Sequence, residues 1–220
     1  MARASKRSRG WLFRWTLVAV LVVLILTIRL VEDIGHDQKP SDRYTVVSVI
    51  DGDTVELKGG DRLRLLSIDT PEEGEPFYDD ARQYLGDIAL GQQARIEFAN
   101  TRRDRYGRLL GYLYIDTIFV NHSILERGLG NLYLFKDTDL GREETARLLQ
   151  AQRSAIGEKR GVWSLNREAE DYYIACNGSF RLHRPGCRSV ANLKEGRYRT
   201  FQIREEGLLE GLSPCRNCKP

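Results

Sequence analysis

Apolar and β-branched residues fill 44–50 (YTVVSVI), 53–58 (DTVELK) and 61–69 (DRLRLLSID), and these read as three strands. Asp51-Gly52 and Gly59-Gly60 separate them, and both pairs suit tight hairpins. The period then changes. Ala81, Tyr84, Leu85 and Ile88 recur at helical spacing within 79–90. Strand alternation returns at 94–98 (ARIEF) and 108–116 (RLLGYLYID), across a polar loop at 100–107. A short helix is predicted over 121–127, ending at Gly128, and a longer one over 143–156, before Gly161-Val162-Trp163.

Three strands, a helix, two strands and two helices describe an α+β unit. A five-stranded oligonucleotide/oligosaccharide-binding (OB-fold) barrel with packed helices accounts for that order. We place this domain at 43–168. Composition shifts after 167–171, where cysteines appear and strands shorten, so a small second module is expected at 172–220.

The N-terminus follows different rules. Arg3, Lys6, Arg7, Arg9 and Arg14 precede an uninterrupted apolar run at 15–28, which Leu30 and Val31 extend past Arg29. A cleaved signal peptide and an uncleaved signal anchor both fit. No small-residue cleavage site follows, and Trp11 and Trp15 suit a membrane interface, which favours the anchor. Residues 1–31 are then a cytoplasmic basic tail and transmembrane signal anchor in the lipid bilayer. A polar linker occupies 32–42, and the rest of the chain lies outside the cytoplasm; secretion after cleavage is the alternative.

Composition narrows the class. Among 220 residues, 41% are hydrophobic, enough for a packed core and against general disorder. A mean hydropathy of −0.43 excludes a polytopic membrane protein. The net charge of +3 conceals an asymmetry, because the first 40 residues carry seven basic and three acidic side chains. Residues 41–168 carry 18 basic against 22 acidic, and 169–220 carry nine against six. The basic balance therefore belongs to the two ends; the barrel alone implies modest affinity for a polyanion, and the C-terminal module is either a source of the missing phosphate affinity or a structural appendage docked on the barrel.

Three segments concentrate chemistry: Asp51-Gly52-Asp53-Thr54, the stretch from Arg64 to Glu72 through Asp69-Thr70-Pro71, and Asp104-Arg105-Tyr106-Gly107-Arg108. Each alone has an ordinary reading as a turn, a helix start or a solvated loop. Together they offer more. Asp53 and Asp69 fall near the ends of neighbouring barrel strands, and two carboxylates with a backbone carbonyl make a hard-oxygen set suited to Ca²⁺. Glu72 is positioned as a base toward water, and Arg64 and Arg108 as phosphate ligands. A divalent ion, two guanidiniums and a carboxylate are the parts needed to hydrolyse a phosphodiester.

VIDGDTVEL, RLRLLSIDTPE and DRYGRLLGYLY resemble the three motif blocks of the staphylococcal nuclease (thermonuclease) family, in the same order over 43–163. The resemblance implies that Asp53, Asp69 and the Thr70 carbonyl hold catalytic Ca²⁺. It makes Glu72 the general base, and it sets Arg64 and Arg108 on the scissile phosphate. It implies hydrolysis of the P–O5′ bond of DNA or RNA to 3′-phosphate products. Tyr106 stands at a nucleotide-side tyrosine of the family. Tyr133 and Phe135 in NLYLF correspond to its two substrate-pocket tyrosines; a Phe stacks on a base but donates no hydroxyl. The loop after Glu72 (EGEPFYDD) is acidic, not lysine-rich, which weakens the hold on long duplexes.

All four cysteines lie in the last fifth of the chain. His183-x3-Cys187 followed by Cys215-x2-Cys218 is zinc-ligand spacing, and four such ligands close a structural Zn²⁺ site. Cys176 leaves open an all-cysteine set, and disulfides are the alternative in an oxidising compartment. The segment also resembles the metal-binding domain of the bacterial DNA-repair methyltransferase Ada and zinc modules of secreted bacterial nucleases. That resemblance supports His183 as a ligand.

These readings converge on a membrane-anchored, Ca²⁺-dependent nuclease with a zinc-stabilised C-terminal module. Its expected partners are nucleic acid and lipid, and no protein partner is implied. A catalytically silent nucleic-acid receptor or scaffold is the competing expectation.

Overall fold

The computed structural model describes residues 43–135 and 143–220. The basic tail, the apolar run and the linker lie outside the described residues. Among the described residues no helix is long and apolar enough to cross a membrane. Residues 42–220 form one compact unit.

The chain begins with β1 (Arg43–Val49), β2 (Thr54–Leu57), β3 (Arg62–Leu65) and the short β4 (Ile68–Asp69). Helix α1 (Tyr78–Ala89) follows, then β5 (Gln93–Arg103), β6 (Leu109–Ile115) and β7 (Ile118–Phe119). Helix α2 (Val120–Glu126), β8 (Asn131–Leu132) and helix α3 (Glu143–Gly157) complete this part, with a 3-10 turn at Gly161–Ser164. Strands β9 (Tyr173–Cys176), β10 (Arg181–His183) and β11 (Tyr198–Phe201), helix α4 (Arg204–Leu209) and strand β12 (Ser213–Pro214) make up the C-terminal part.

The main sheet runs β3-β2-β1-β5-β6-β7, and parallel pairing of β3 with β6 closes five of these strands into a barrel. Closure explains the pattern on β6, which is buried along almost its whole length. Its inward residues fill the barrel, while Tyr112 and Tyr114 on the other face pack on Phe119, at ring separations of 5.6 and 4.8 Å. Leu63, Leu65, Val55, Val46 and Leu113 are sealed inside. Helix α1 contributes Ala81, Leu85 and Ala89, one stripe at four-residue spacing.

Two predicted boundaries move. The expected strand over 61–69 breaks at Leu66-Ser67, where Ser67 adopts a φ of 62°. A non-glycine residue there turns the chain sharply, so β4 leaves the barrel sheet and pairs with β8 instead. The predicted loop at 100–107 is shorter than expected, because β5 continues past a register shift until Arg103 pairs with Leu109. Arg103 secures the extension through Asp61 at 2.9 and 3.2 Å and the Gly107 carbonyl at 2.7 Å.

The C-terminal sheet runs β11-β9-β10-β12. Its small core of Tyr173, Ala175, Leu182, Phe201, Leu208 and Leu212 also takes in Ile156 and Trp163. Gln152 of α3, fully buried, accepts from the Leu132 N–H at 2.7 Å and donates to the Leu208 carbonyl at 2.8 Å. The two sheets are therefore joined by shared apolar packing and by a buried amide.

Candidate active site and metal cluster

The Asp51–Thr54 turn positions the first acid. Asp51 Oδ1 accepts the Asp53 N–H at 3.0 Å, and the Thr54 hydroxyl donates to Asp53 Oδ1 at 3.1 Å. The turn needs glycine for lack of space. A Cβ on Gly52 would stand 2.7 Å from both Ala81 Cβ and Thr70 Oγ1. This close approach sets the turn against α1 and the strand carrying the second acid.

Arg64 joins the two acids. Its Nη2 lies 2.8 Å from Asp53 Oδ2 and 3.0 Å from Asp69 Oδ1. Its Nη1 donates to the carbonyls of Leu65 at 2.9 Å and Ile68 at 3.0 Å, on either side of the Ser67 turn. The turn thus supplies the acceptors that aim the guanidinium. The Thr70 N–H donates to Asp53 Oδ2 at 3.0 Å, which brings Thr70 into the same buried group. Burial pushes the Asp53 carboxyl up to about 7, against the pull of Arg64, and Asp51 and Asp69 add to the rise. Two clustered carboxylates and the neighbouring Thr70 offer hard-oxygen donors, so the residues present fit a divalent cation such as Ca²⁺.

The other expected residues lie at differing removes from this centre. Parallel pairing sets Leu63 opposite Leu109 and Arg64 opposite Leu110, which puts Arg108 at the start of the strand beside Arg64. Its guanidinium is held by Asp104, with Nη2 at 2.8 Å and Nε at 2.9 Å. Tyr106 is 68% exposed at the loop tip, near the Arg105 and Arg108 guanidiniums. Glu72 is exposed and lines a cleft of about 540 Å³ together with Asp69, Thr70, Glu75, Arg167, Arg216 and Lys219. Its N–H donates to Glu75 Oε2 at 2.9 Å. Tyr133 and Phe135 meet edge to face at 5.3 Å, and the Tyr133 N–H bonds the Ser67 carbonyl at 2.8 Å.

The ligand atoms of His183, Cys187, Cys215 and Cys218 all lie within 4.8 Å of one another. None of the four cysteines is in a disulfide, and Cys176 lies outside the cluster. His183 Nδ1 is buried with no hydrogen-bond partner, an arrangement that needs an acceptor of its lone pair or its proton. Burial and then Arg181 lower the His183 pKa, which keeps the imidazole neutral as a metal ligand must be. Burial raises the Cys187 thiol, but hydrogen bonds involving Ser189, Cys218 and Cys215 together outweigh it and the net shift is down. The Arg184 N–H donates to Cys218 Sγ at 3.3 Å. Two thiols, a third beside them and a neutral imidazole fit Zn²⁺.

Sequence reasoning missed the basic residues that the C-terminal sheet delivers to the cleft. Arg216 binds both oxygens of Asp69, Nε to Oδ2 at 3.2 Å and Nη2 to Oδ1. Lys219 pairs with Glu75. The Arg181 guanidinium lies 3.5 Å from the centre of the Tyr133 ring. The signals in the sequence were the surplus of nine basic over six acidic side chains in 169–220 and the place of Arg216 between Cys215 and Cys218; neither singles out Arg181, Arg216 or Lys219.

Comparison with known proteins agrees with this geometry. Residues 62–165 match the family described as staphylococcal nuclease homologue. The chain is 27% identical to the thermonuclease of Staphylococcus hyicus, over 67% of this chain and 95% of that protein. It is 29% identical to the micrococcal nuclease of Shigella flexneri, over 67% of this chain and 83% of that protein. It is 31% identical to protein ParB of Escherichia coli, over 56% of this chain and 72% of that protein. With the closed barrel and these matches together, the chain belongs to the staphylococcal nuclease family.

Proposed function

We propose that this protein is a Ca²⁺-dependent nuclease that hydrolyses DNA or RNA to 3′-phosphate products. The observation that carries the reading is the convergence of Asp53, Asp69 and Arg64 in one buried group beside the cleft that Glu72 lines. Asp53, Asp69 and the Thr70 carbonyl would hold the ion, which when bound supplies positive charge to the phosphoryl oxygens. Glu72 takes a proton from the attacking water. The water oxygen bonds to phosphorus as the P–O5′ bond breaks. Arg64, fixed by two carbonyls and two carboxylates, contributes a positive potential that needs no reorganisation during the reaction. Arg108 exchanges Asp104 for the substrate and stabilises the charge on the leaving O5′, which takes up a proton from solvent to give the 5′-hydroxyl. The exposed rings of Tyr106 and Phe135 provide aromatic faces for bases, while Tyr133, covered by Arg181, lines the site beside Phe135.

His183, Cys187, Cys215 and Cys218 would bind Zn²⁺ as a structural site, in a module of the Ada-like kind. Residues 1–31 would anchor the chain in the cell membrane, with the nuclease domain outside the cytoplasm. The membrane and zinc readings rest on the sequence patterns and the ligand cluster respectively.

The test is cleavage of plasmid and single-stranded DNA by the full-length protein with Ca²⁺ or with chelator, beside Glu72→Ser. Ca²⁺-dependent cleavage that the variant loses by two or more orders of magnitude supports the proposal. Binding without cleavage in every divalent metal would replace it with a silent receptor.

A further inference from the structure

The guanidiniums nearest the acidic centre are not equally available. Arg64 is largely buried, and its two terminal nitrogens already serve four acceptors. Arg108 is held by Asp104 through Nε and Nη2, with a side chain 31% exposed. Arg216 makes the same two-nitrogen contact, to Asp69, but its side chain is 53% exposed, and among the described residues its Nη1 meets no acceptor. An arginine offers five N–H donors, so most of this fork faces the cleft unused.

Arg216 stands beside an aromatic ring and a second guanidinium. Its guanidinium lies 4.9 Å from the centre of Tyr133, whose ring also meets Arg181. Arg181 reaches toward Phe135 at 5.4 Å and donates to the Leu134 carbonyl at 3.0 Å. The barrel domain's contribution to the cleft is acidic on balance, with Asp69, Glu72 and Glu75 against Arg167. A polyanion approaches such a wall only beside compensating cations. Arg216 and Lys219 supply them from the C-terminal module. The Lys219 pair with Glu75 also steadies the carboxylate that receives the Glu72 N–H.

We propose that the turn between Cys215 and Cys218 completes the substrate site, with Arg216 binding a backbone phosphate of the nucleic acid while Arg181 supports the aromatic pair Tyr133–Phe135. This deepens the nuclease reading and rests on it. The module is then part of the nuclease site and not an appendage.

The experiment compares full-length wild type, Arg216→Ala and Arg216→Lys on a labelled single-stranded oligonucleotide. Steady-state cleavage with Ca²⁺ gives KM and kcat. Equilibrium binding of the same oligonucleotide is measured over a salt series in a Glu72→Gln background. Arg216→Ala should raise KM and Kd about tenfold, as expected for one lost charged hydrogen bond. The slope of log Kd against log salt should become shallower by about 0.7, the value for one phosphate contact on a single strand. Arg216→Lys should recover part of the affinity and the salt slope. Unchanged KM, Kd and slope would reduce Arg216 to a staple on Asp69 and overturn the proposal. Tighter binding or faster cleavage by Arg216→Ala would make the contact a plug, and would overturn it equally. If the wild type cleaves nothing, the nuclease reading fails by itself, and the binding series still decides whether Arg216 contacts phosphate.

Discussion

Gln152 donates from Nε2 to the Leu208 carbonyl at 2.8 Å, tying the long helix beside the barrel to the short helix of the cysteine-bearing sheet. The same side chain accepts from Leu132 in the strand next to Asp69. Two parts with separate sheets thus share a fully buried amide. Gln152→Leu keeps most of the volume but strands the buried Leu132 N–H, while the Leu208 carbonyl keeps the Gly211 N–H at 3.1 Å. The expected loss is about 1–3 kcal/mol of unfolding free energy, the cost of one orphaned group. Urea denaturation checks it, and a loss under 0.5 kcal/mol would mean that water takes over the Leu132 bond.

Arg64→Lys keeps the charge and loses the fork. A lysine cannot serve the Leu65 and Ile68 carbonyls and both carboxylates at once. Turnover should fall by about 10²–10³-fold, the range for removing one oriented donor from a transition state. Single-turnover rates at saturating Ca²⁺ measure this directly; near-wild-type rates would show that position 64 needs charge alone.

Gly52→Ala tests the close packing that sets the first acid. The added Cβ would press on Ala81 and on Thr70 Oγ1, each 2.7 Å away. Overpacking of this kind costs about 1–3 kcal/mol. Because Thr70 belongs to the Asp53 group, Ca²⁺ affinity measured by calorimetry should weaken along with thermal stability. Lower stability with unchanged affinity would uncouple the turn from the site.

Asp104 makes stability depend on acid. Burial alone would raise its carboxyl, but hydrogen bonds from the Arg108 side chain and backbone and from the Tyr106 N–H hold it below its ordinary 3.8. A carboxyl lowered by folding stabilises the protein fully above the unfolded value. That contribution disappears as pH falls through the lower folded value. Wild type should therefore lose stability relative to Asp104→Asn below about pH 4, and the two should run parallel above it. Parallel curves at every pH would remove the effect.

Metal in the cysteine cluster should be measurable without activity. The purified chain should carry about one zinc, and Cys215→Ser should release it and lower the thermal midpoint. Elemental analysis of both proteins is decisive; equal zinc content would exclude Cys215 as a ligand.

Much of this molecule is legible in one dimension because its parts are local. The hairpin glycines Gly59 and Gly60 take positive φ, as a tight turn demands. The helix predicted over 79–90 occupies Tyr78–Ala89. Asp53, Arg64, Asp69 and Thr70, picked out from short motifs, meet in one hydrogen-bonded group. The break at Ser67 was not legible, because its apolar neighbours continue the strand pattern and only the pairing of β4 with β8 reveals the turn. The end of β5 was hidden for a similar reason, since its exposed polar residues look like loop until Arg103 finds Leu109.

Residue type and spacing place most strands and nominate the acids, the arginines and the His/Cys ligand set as candidates, since each sits in a short motif. Arg216 and Asp69 are 147 positions apart, and in the sequence Arg216 is one of many surface arginines. Only the folding of β12 beside β10, and the packing of that sheet on Ile156 and Trp163, carries this guanidinium to the acidic cleft. Side-chain chemistry is written locally, but which charges face one another depends on how the sheets pack.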